Sequence, residues 1–508
     1  MSLLGIDVGT SGCKAAVYAE DGELLAAAYA EYDIRHPQPG YAELDALEVW
    51  GIVQRLITQV ANSSVRALCV SSMGEAVVPV TIGLQVLAPS LLNFDRRGEE
   101  FLAELSEKLP PRRLYPLNGN TLGNQYSLTK LLWIQRHQPA IYEQADLFLH
   151  WSGFIAFMLG AEPAVDYSLA NRTLLFDLDR GDWSPELLAL SGIDGAKLPR
   201  VVPSGTIVGT LSAGVARAVG LPAGIPIAAG AHDQNANALG CGVVEEGQAV
   251  YGMGTYTCIT PVYRRRIDPA LMLARGLNTE HHAVPGRYVS FIYNQGGALL
   301  KWYRDTFAAL EKQQAAATER DLYAELIREI PAQPSPLLVL PHFIPTGPPD
   351  FISNSAGVLL GLKLETTRGE ILKGILEGSV YYLKECVDTL PSAGIQIRDF
   401  RAVGGGSKSD AWVQLSADIF GVPFVRPRVT EAGTLGAAIL AGLGAGVFQS
   451  VEQGVAQLVR LERTFEPDPA RAAGYAANYE RYKLLWPLLK GFLTGEEAAD
   501  PKTAAGTR

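Results

Sequence analysis

The sequence predicts an α/β protein with two similar domains that face each other across a cleft. Short apolar strands alternate with amphipathic helices in the order βββαβα, which is typical of a sheet covered by helices. Both halves of the chain also begin with a hairpin that carries a Gly-Thr turn, at residues 9–10 and 254–255. The 508 residues exceed the roughly 250–300 that one hydrophobic core usually serves, so two large domains are expected.

The first half opens with strands and continues with a helix. Three strands come first: residues 3–7, 14–19 and 24–32. A helix is predicted over residues 46–62, because apolar side chains recur there at helical spacing and Asp45 is a suitable N-cap. A buried strand over residues 67–70 then ends at residues 71–75, whose side chains are expected to face the cleft. This alternation indicates a mostly parallel sheet.

The second half repeats the plan. Its predicted strands are residues 248–252, 258–262 and 288–293. A helix is expected at residues 297–307, and the boundary between the halves at about residues 240–246. We therefore expect an N-terminal domain over residues 1–242 and a C-terminal domain over residues 243–495. The remaining residues, 496–508, are polar and predicted to form a disordered tail.

The two Gly-Thr turns are candidate phosphate sites. Glycine lets the backbone approach an oxyanion, while successive N–H groups and the hydroxyls of Thr10 and Thr255 can donate hydrogen bonds to it. A single turn of this kind is usually only hairpin chemistry. Two such turns, with the isolated acid Asp233 at a strand end between them, favour a site that grips one polyphosphate.

Composition excludes several classes of partner. The net charge is −10, from 43 basic and 53 acidic residues, and no basic run is present, so we expect no nucleic-acid partner. The best apolar run, residues 432–447, is shorter than the roughly 20 residues that a membrane span needs. The five cysteines are widely spaced and lack a CxxC pair, and no basic leader opens the chain, so a cytoplasmic protein with a small-molecule partner is expected.

A glycine-rich turn at residues 404–406 is a third candidate site. It follows a predicted strand, residues 399–403, and precedes a predicted helix, residues 411–420. Such a turn brings backbone close to a ligand and exposes the first amides of the helix. Its spacing matches neither the Walker A pattern nor GxGxxG, which weakens the P-loop and dinucleotide alternatives.

In this order along residues 3–490, the motifs resemble those of the FGGY family of carbohydrate kinases. The family's first phosphate motif matches Asp7, Gly9, Thr10, Ser11 and Lys14. Its second phosphate motif matches Gly252, Gly254 and Thr255, and its adenosine motif matches Gly404, Gly405, Gly406 and Ser407, with Lys408 next along the chain. The resemblance implies two RNase H-like domains of the actin and hexokinase type, each a mixed sheet flanked by helices.

The resemblance also implies ATP and Mg²⁺ as cofactors and Asp233 as the general base. A carboxylate within hydrogen-bond reach can accept the proton of a sugar hydroxyl as the bond to phosphorus forms. Asp7 and Asp233 are the candidate metal ligands, since Mg²⁺ takes only one or two carboxylates beside phosphate oxygens and water. The alternative for Asp233 is a helix N-cap, because residues 234–240 could begin a helix.

Candidate substrate residues follow from the same resemblance. They are Met73, Gly74, Glu75, Asp95, Gln125, Asp233 and Gln234. The Gly74-Glu75 pair matches neither the Met-His or Gln-His pair of sugar-specific members nor the Arg-Glu pair of glycerol-specific members. A structural salt bridge is the alternative for Asp95 and Arg97.

The implied activity is ATP-dependent phosphorylation of a primary hydroxyl of a ketopentose or related open-chain polyol. D-xylulose is favoured by overall length and by the regions at residues 166–168 and Trp183. The loop at residues 341–349 lacks the Gly-Glu-Arg sequence of many members, so gluconate, ribulose, glycerol and erythritol stay open as acceptors. A sugar-sensing regulatory protein on the same fold is the other alternative, which the retained Asp233 disfavours. The sequence leaves the oligomeric state open, a homodimer being one alternative.

Overall fold

A computed structural model describes residues 1–318, 320–348, 351–428 and 432–495. The predicted disordered tail at residues 496–508 lies outside the described residues, as does residue 349 of the loop noted above. In the part of the chain so described, no helix combines the length and apolar character that crossing a bilayer requires.

The first half of the chain contains the following elements. Its strands are β1 (Ser2–Val8), β2 (Gly12–Ala19), β3 (Leu24–Glu31), β4 (Glu43–Leu44), β5 (Val65–Ser72), β6 (Val77–Val80), β7 (Ser90–Leu91), β8 (Leu147–His150), β9 (Ala164–Asp166), β10 (Phe176–Asp177), β11 (Asp182–Trp183), β12 (Arg200–Val202), β13 (Ile207–Thr210) and β14 (Pro226–Ala228). Its helices are α1 (Ala46–Val60), α2 (Leu102–Lys108), α3 (Pro111–Asn118), α4 (Ser127–His137), α5 (Pro139–Gln144), α6 (Trp151–Leu159), α7 (Tyr167–Asn171), α8 (Pro185–Ser191), α9 (Ala213–Val219) and α10 (Asp233–Gly240).

The second half is built from a similar mixture. Its strands are β15 (Gln248–Met253), β16 (Tyr256–Tyr263), β17 (Glu280–His281), β18 (Tyr288–Val289), β19 (Ile292–Gln295), β20 (Leu338–Leu340), β21 (Val358–Leu360), β22 (Asp399–Val403), β23 (Phe424–Pro427) and β24 (Leu461–Phe465). Its helices are α11 (Pro269–Ala274), α12 (Gly297–Phe307), α13 (Ala309–Thr318), α14 (Leu322–Arg328), α15 (Arg368–Thr389), α16 (Asp410–Phe420), α17 (Ala432–Gly444), α18 (Val451–Leu458), α19 (Pro469–Tyr482) and α20 (Leu485–Thr494).

The two main sheets share one topology. The first runs β3-β2-β1-β5-β14-β13, and the second runs β19-β16-β15-β22-β23-β24, with β18 and β17 added beyond β16. In each sheet three central strands are parallel and the flanking strands are antiparallel. The predicted pair of RNase H-like domains with mixed sheets is therefore confirmed. The sheets are not mostly parallel, because a hairpin adds antiparallel strands at one edge and a further antiparallel strand, β13 or β24, closes the other edge.

Local signals explain the first helix. Asp45 caps α1, since its carboxylate accepts hydrogen bonds from the amides of Leu47 and Glu48. The apolar face of α1 is buried against β2 and β3. Apolar spacing and the cap thus agree with the tertiary packing.

Helix α17 comes from the second half but packs on β1 and β5 of the first sheet and along α10. The contact is between backbones: a Cβ atom added at Gly436 would lie 2.0 Å from the carbonyl oxygen of Ala236, and one at Gly5 would lie 1.8 Å from that of Thr434. Only glycine permits so close an approach. Helix α17, which follows the predicted boundary at residues 240–246, therefore packs as part of the layer that covers the first sheet.

Replacing Gly436 by Ala is expected to separate α17 from α10 and to lower the free energy of unfolding by about 1–3 kcal/mol, the usual cost of overpacking. Urea-induced unfolding measures the change. Gly214→Ala is the matched control, since it also lies within a helix but its added Cβ would meet no atom within 4 Å. A Gly436→Ala protein with wild-type stability would contradict the tight backbone contact.

Candidate active site

A cleft of about 1140 Å³ lies where the two hairpins and the glycine-rich turn meet. The predicted site residues that line it are Asp7, Thr10, Lys14, Met73, Gly74, Glu75, Gln125, Asp233, Gln234, Gly252, Gly254, Gly404, Gly405 and Lys408. Asp233 and both phosphate hairpins thus share one crevice. This is the arrangement that phosphoryl transfer between a nucleotide and an alcohol requires.

Other predicted nucleotide residues stand beside the cleft without lining it: Gly9, Ser11, Thr255, Gly406 and Ser407. Ser407 is buried, and its hydroxyl donates to the carbonyl oxygen of Gly404 at 2.7 Å. The side chain of Ser407 therefore stabilises the turn from inside.

Both hairpin tips are held in place by neighbouring groups. In the first, the amide of Gly9 donates to the carbonyl oxygen of Gly12 at 3.0 Å, and the hydroxyl of Tyr32 donates to the carbonyl oxygens of both glycines. In the second, the first amide of α12, that of Gly297, donates to the carbonyl oxygen of Gly254 at 2.9 Å. Each tip is therefore preorganised before any phosphate binds.

The glycine-rich turn lies next to the second hairpin. Gly404 has φ of +85°, and a Cβ there would lie 3.1 Å from the carbonyl oxygen of Met253 at the end of β15. A 3₁₀ turn over Gly405–Lys408 leads into α16, whose N-cap, Ser409, accepts from the amide of Trp412. The turn thus places a helix start beside the hairpin tip, as the sequence predicted.

Asp233 is the first residue of α10, and His232 occupies the N-cap position. The N-cap alternative for Asp233 is therefore wrong. Its side chain is 24% exposed, within the cleft. Burial and, after it, the nearby carboxylates of Asp7 and Glu75 raise the pKa of Asp233 to about 7, against hydrogen bonds from the backbone and side chain of Gln234. A carboxylate with this pKa is suited to accept a proton near neutral pH.

Asp7 is the last residue but one of β1 and accepts a hydrogen bond from the hydroxyl of Ser71 at 2.7 Å. A Cβ at Gly433 would lie 2.7 Å from Oδ2 of Asp7 and 3.5 Å from Oδ1 of Asn237, so glycine keeps this oxygen-rich space open. Hard oxygen donors of this kind suit Mg²⁺. Among the described residues no group of three or more His, Cys, Asp or Glu side chains is placed to hold a metal ion, so phosphate oxygens and water would complete the shell.

Asp95 does not line the cleft, in contrast to its predicted place in the substrate site. It is fully buried, its carboxylate accepts from the side chain of Arg97, and the amide of Ala42 donates to Oδ2 at 2.6 Å. The pKa of Asp95 is lowered by these hydrogen bonds, which outweigh its burial. The structure therefore places a structural ion pair here, and the neighbouring Asn93 faces the cleft.

His232 lies against Asp233, and neither belongs to a group of three or more possible metal ligands among the described residues. Its Nε2 is 3.3 Å from Oδ1 of Asp233, and its backbone amide donates to the hydroxyl of Ser168 at 2.9 Å. Burial and the charge of Arg172 lower the pKa of His232 well below its usual value, so the imidazole is neutral. His232 therefore packs beside Asp233 as a neutral side chain.

Sequence reasoning missed Arg172, which lines the cleft at the end of α7. Its Nε donates to Oε1 of Glu75 at 2.6 Å, and its Nη1 donates to Oε1 of Glu280 at 2.5 Å. The sequence did offer one signal for Arg172, which is an arginine among apolar and small residues. An arginine in such a segment is rarely buried unless it pairs with an acid, so its position indicates a buried ion pair. Asn278, which also lines the cleft and donates to Glu280 at 2.8 Å, carried no comparable signal.

Comparison with known proteins shows the family to which the chain belongs. Family models for the FGGY family of carbohydrate kinases match the chain, the N-terminal domain over residues 2–240 and the C-terminal domain over residues 253–445. The chain is 30% identical over 522 residues to the autoinducer-2 kinase of Escherichia coli (strain K12), covering 95% of this chain and 94% of that protein. It is 27% identical over 498 residues to the xylulose kinase of Bacillus subtilis (strain 168), covering 97% and 96%.

A solved structure shows the same architecture. The crystal structure of xylulose kinase from Rhodospirillum rubrum superposes with a TM-score of 0.86 at 28% identity, covering 97% of this chain and 99% of that one. Since the two family models together span most of the sequence, the chain belongs to the FGGY family of carbohydrate kinases and is a phosphotransferase.

Proposed function

We propose that the protein transfers the γ-phosphoryl group of ATP to a primary hydroxyl of an open-chain sugar or polyol, with D-xylulose as the leading substrate. The observation that carries this proposal is the position of Asp233, which shares one cleft with the tips of both phosphate hairpins. Its raised pKa, about 7, suits a base that works near neutrality.

In the proposed reaction Asp233 accepts the proton of the acceptor hydroxyl. The hydroxyl oxygen forms a bond to the γ-phosphorus, and the bond from that phosphorus to the bridging oxygen breaks, leaving ADP. Catalysis of this kind depends on positioning and on stabilisation of charge. The rigid hairpin tips supply the positioning.

Nucleotide binding is assigned to the two hairpins and the glycine-rich turn. Thr10 and Gly254 line the space proposed for phosphate, with Lys14 and Lys408 on the same lining. Asp7 and Asp233 would hold Mg²⁺, which when bound neutralises charge on the phosphate oxygens. We expect this chemistry to occur in the cytoplasm, where ATP is available and the five cysteines, none of them in a disulfide, stay reduced.

The acceptor end of the cleft is lined by polar side chains that can bind several hydroxyls. They include Asn93, Gln125, Gln234 and Asn278. D-xylulose is supported by the xylulose kinases among the relatives, at 27% and 28% identity. A second candidate acceptor is autoinducer-2, because the chain is slightly more similar, at 30% identity, to kinases of that name.

Activity of the purified protein across a panel of acceptors tests the proposal. ADP release would be measured with ATP, Mg²⁺ and D-xylulose, ribulose, gluconate, glycerol, erythritol or autoinducer-2. We expect turnover with D-xylulose, and loss of about 10²–10⁴-fold in turnover for Asp233→Asn with nucleotide binding retained. Sugar binding without turnover on any acceptor would instead indicate the sugar-sensing alternative, and an active Asp233→Asn protein would remove Asp233 as the base.

The same residue predicts a pH-dependent stability. The pKa of Asp233 rises from 3.8 to about 7 on folding, so the folded protein keeps a proton that the unfolded chain loses within this pH window. Its contribution to the free energy of unfolding therefore decreases as the pH rises through the window. Asp233→Asn removes this cost, and urea unfolding should show the variant gaining stability over wild type at pH 8 but much less at pH 5.

The control for this measurement is Asp33→Asn, which changes an exposed carboxyl in the same way. It should shift stability equally little at both pH values. If the advantage of Asp233→Asn were the same at pH 5 and pH 8, the raised pKa would be contradicted.

A further inference from the structure

A network of three charged side chains joins the two halves of the molecule at the acceptor end of the cleft. Arg172 donates to Glu75 from the same half and to Glu280 of β17 from the other half. Asn278 adds a hydrogen bond to Oε1 of Glu280. The guanidinium also lies over the ring of Tyr126, with its centre 4.9 Å from the ring centroid.

This network is withdrawn from bulk solvent. The side chains of Arg172, Glu75 and Glu280 are 14%, 4% and 0% exposed. One guanidinium faces two carboxylates, so the network carries one net negative charge. Oε2 of Glu280 has no hydrogen-bond partner within the part of the chain that is described, and a buried charged oxygen in that state is costly.

Glu75 is held firmly at its place in this network. It has φ of +64°, which is unusual for a residue with a side chain, and its carbonyl oxygen accepts from the hydroxyl of Ser127 at 2.6 Å. Its Oε1 takes hydrogen bonds from two nitrogens of Arg172. The carboxylate therefore cannot turn away from a ligand without breaking these contacts.

The positively charged side chains that line the cleft are divided unequally between its nucleotide end and its acceptor end. Among the described residues that line it, Lys14, Arg172 and Lys408 are positively charged. Lys14 stands on β2 beside the first hairpin, and Lys408 ends the glycine-rich turn, so both belong to the nucleotide end. At the end of the cleft proposed for the acceptor, Arg172 forms ion pairs with Glu75 and Glu280. Asp233 is a further acidic side chain close to Glu75.

We propose that Glu280, acting through Arg172, makes this site select uncharged polyols and reject sugar acids such as aldonates. An aldonate would bring a carboxylate into a space already occupied by acidic side chains, with a guanidinium that is already neutralised. Removing the charge of Glu280 would leave Arg172 paired with one carboxylate, that of Glu75. The guanidinium could then attract the carboxylate of an aldonate, which would bind more tightly. This inference rests on the proposed transfer to an open-chain sugar or polyol.

Xylitol and xylonate are the matched probes, because they differ only in an alcohol or a carboxylate at one end. Their binding to the full chain would be measured by calorimetry with Mg²⁺ and a non-hydrolysable ATP analogue. We expect the wild-type protein to bind xylitol at least about tenfold more tightly. We expect Glu280→Gln to narrow that ratio at least about threefold, through tighter binding of xylonate.

Glu186→Gln is the control, since Glu186 forms an exposed pair with Arg113 away from the cleft and should leave the ratio unchanged. Thermal unfolding would verify that each variant folds. A wild-type protein that binds xylonate as tightly as xylitol, or neither ligand, overturns the inference, whatever the variant does. An unchanged ratio in a folded Glu280→Gln protein also overturns it.

These outcomes are separable from failure of the proposed function. Phosphoryl transfer is read by ADP release on the acceptor panel, whereas charge selection is read by binding alone. A protein that prefers xylitol but turns over no acceptor of the panel would support charge selection and contradict the proposed function. One that turns over D-xylulose but binds xylonate equally well keeps the function and loses the selectivity.

Discussion

The close contact of α17 with β1 and α10 is the constraint on which the rest of the structure depends. Glycines at positions 5, 240 and 436 let backbones meet where any side chain would collide. Because β1 ends near Asp7 and α10 begins at Asp233, this contact fixes the distance between the two acids. Packing of the second half against the first sheet thereby sets the geometry of the reaction centre.

The electrostatics follow from that geometry. Asp7, Glu75 and Asp233 line one partly buried cleft. Burial of Asp233, and after it the charges of Asp7 and Glu75, raise the pKa of Asp233 to about 7. The fold tolerates this destabilising arrangement because packing elsewhere offsets it, as is usual at active sites. Arg172 compensates part of the charge and, through Glu280, ties the acceptor end to the second half.

Features encoded by adjacent residues were predictable, and those encoded by distant pairs were not. The hairpins, the cap at Asp45 and the glycine-rich turn all follow from local sequence, so the sequence predicted the fold and one crevice for the site. The predicted place of Asp95 in the substrate site was wrong, because a sequence pattern does not show which way a side chain points. In the structure the carboxylate of Asp95 is buried and pairs with Arg97. Arg172 and Glu280 pair across 108 positions, a contact that local spacing cannot reveal.

In the proposed reaction Asp233 activates an alcohol that lies in line with a phosphate bound by two hairpins. A crystal structure with D-xylulose, Mg²⁺ and a non-hydrolysable ATP analogue would show whether these groups meet. The account predicts an acceptor hydroxyl within about 3.2 Å of the Asp233 carboxylate and collinear with the γ-phosphorus and its bridging oxygen. A γ-phosphate bound away from the tips at Thr10 and Gly254, or a sugar whose hydroxyls face another base, would contradict it.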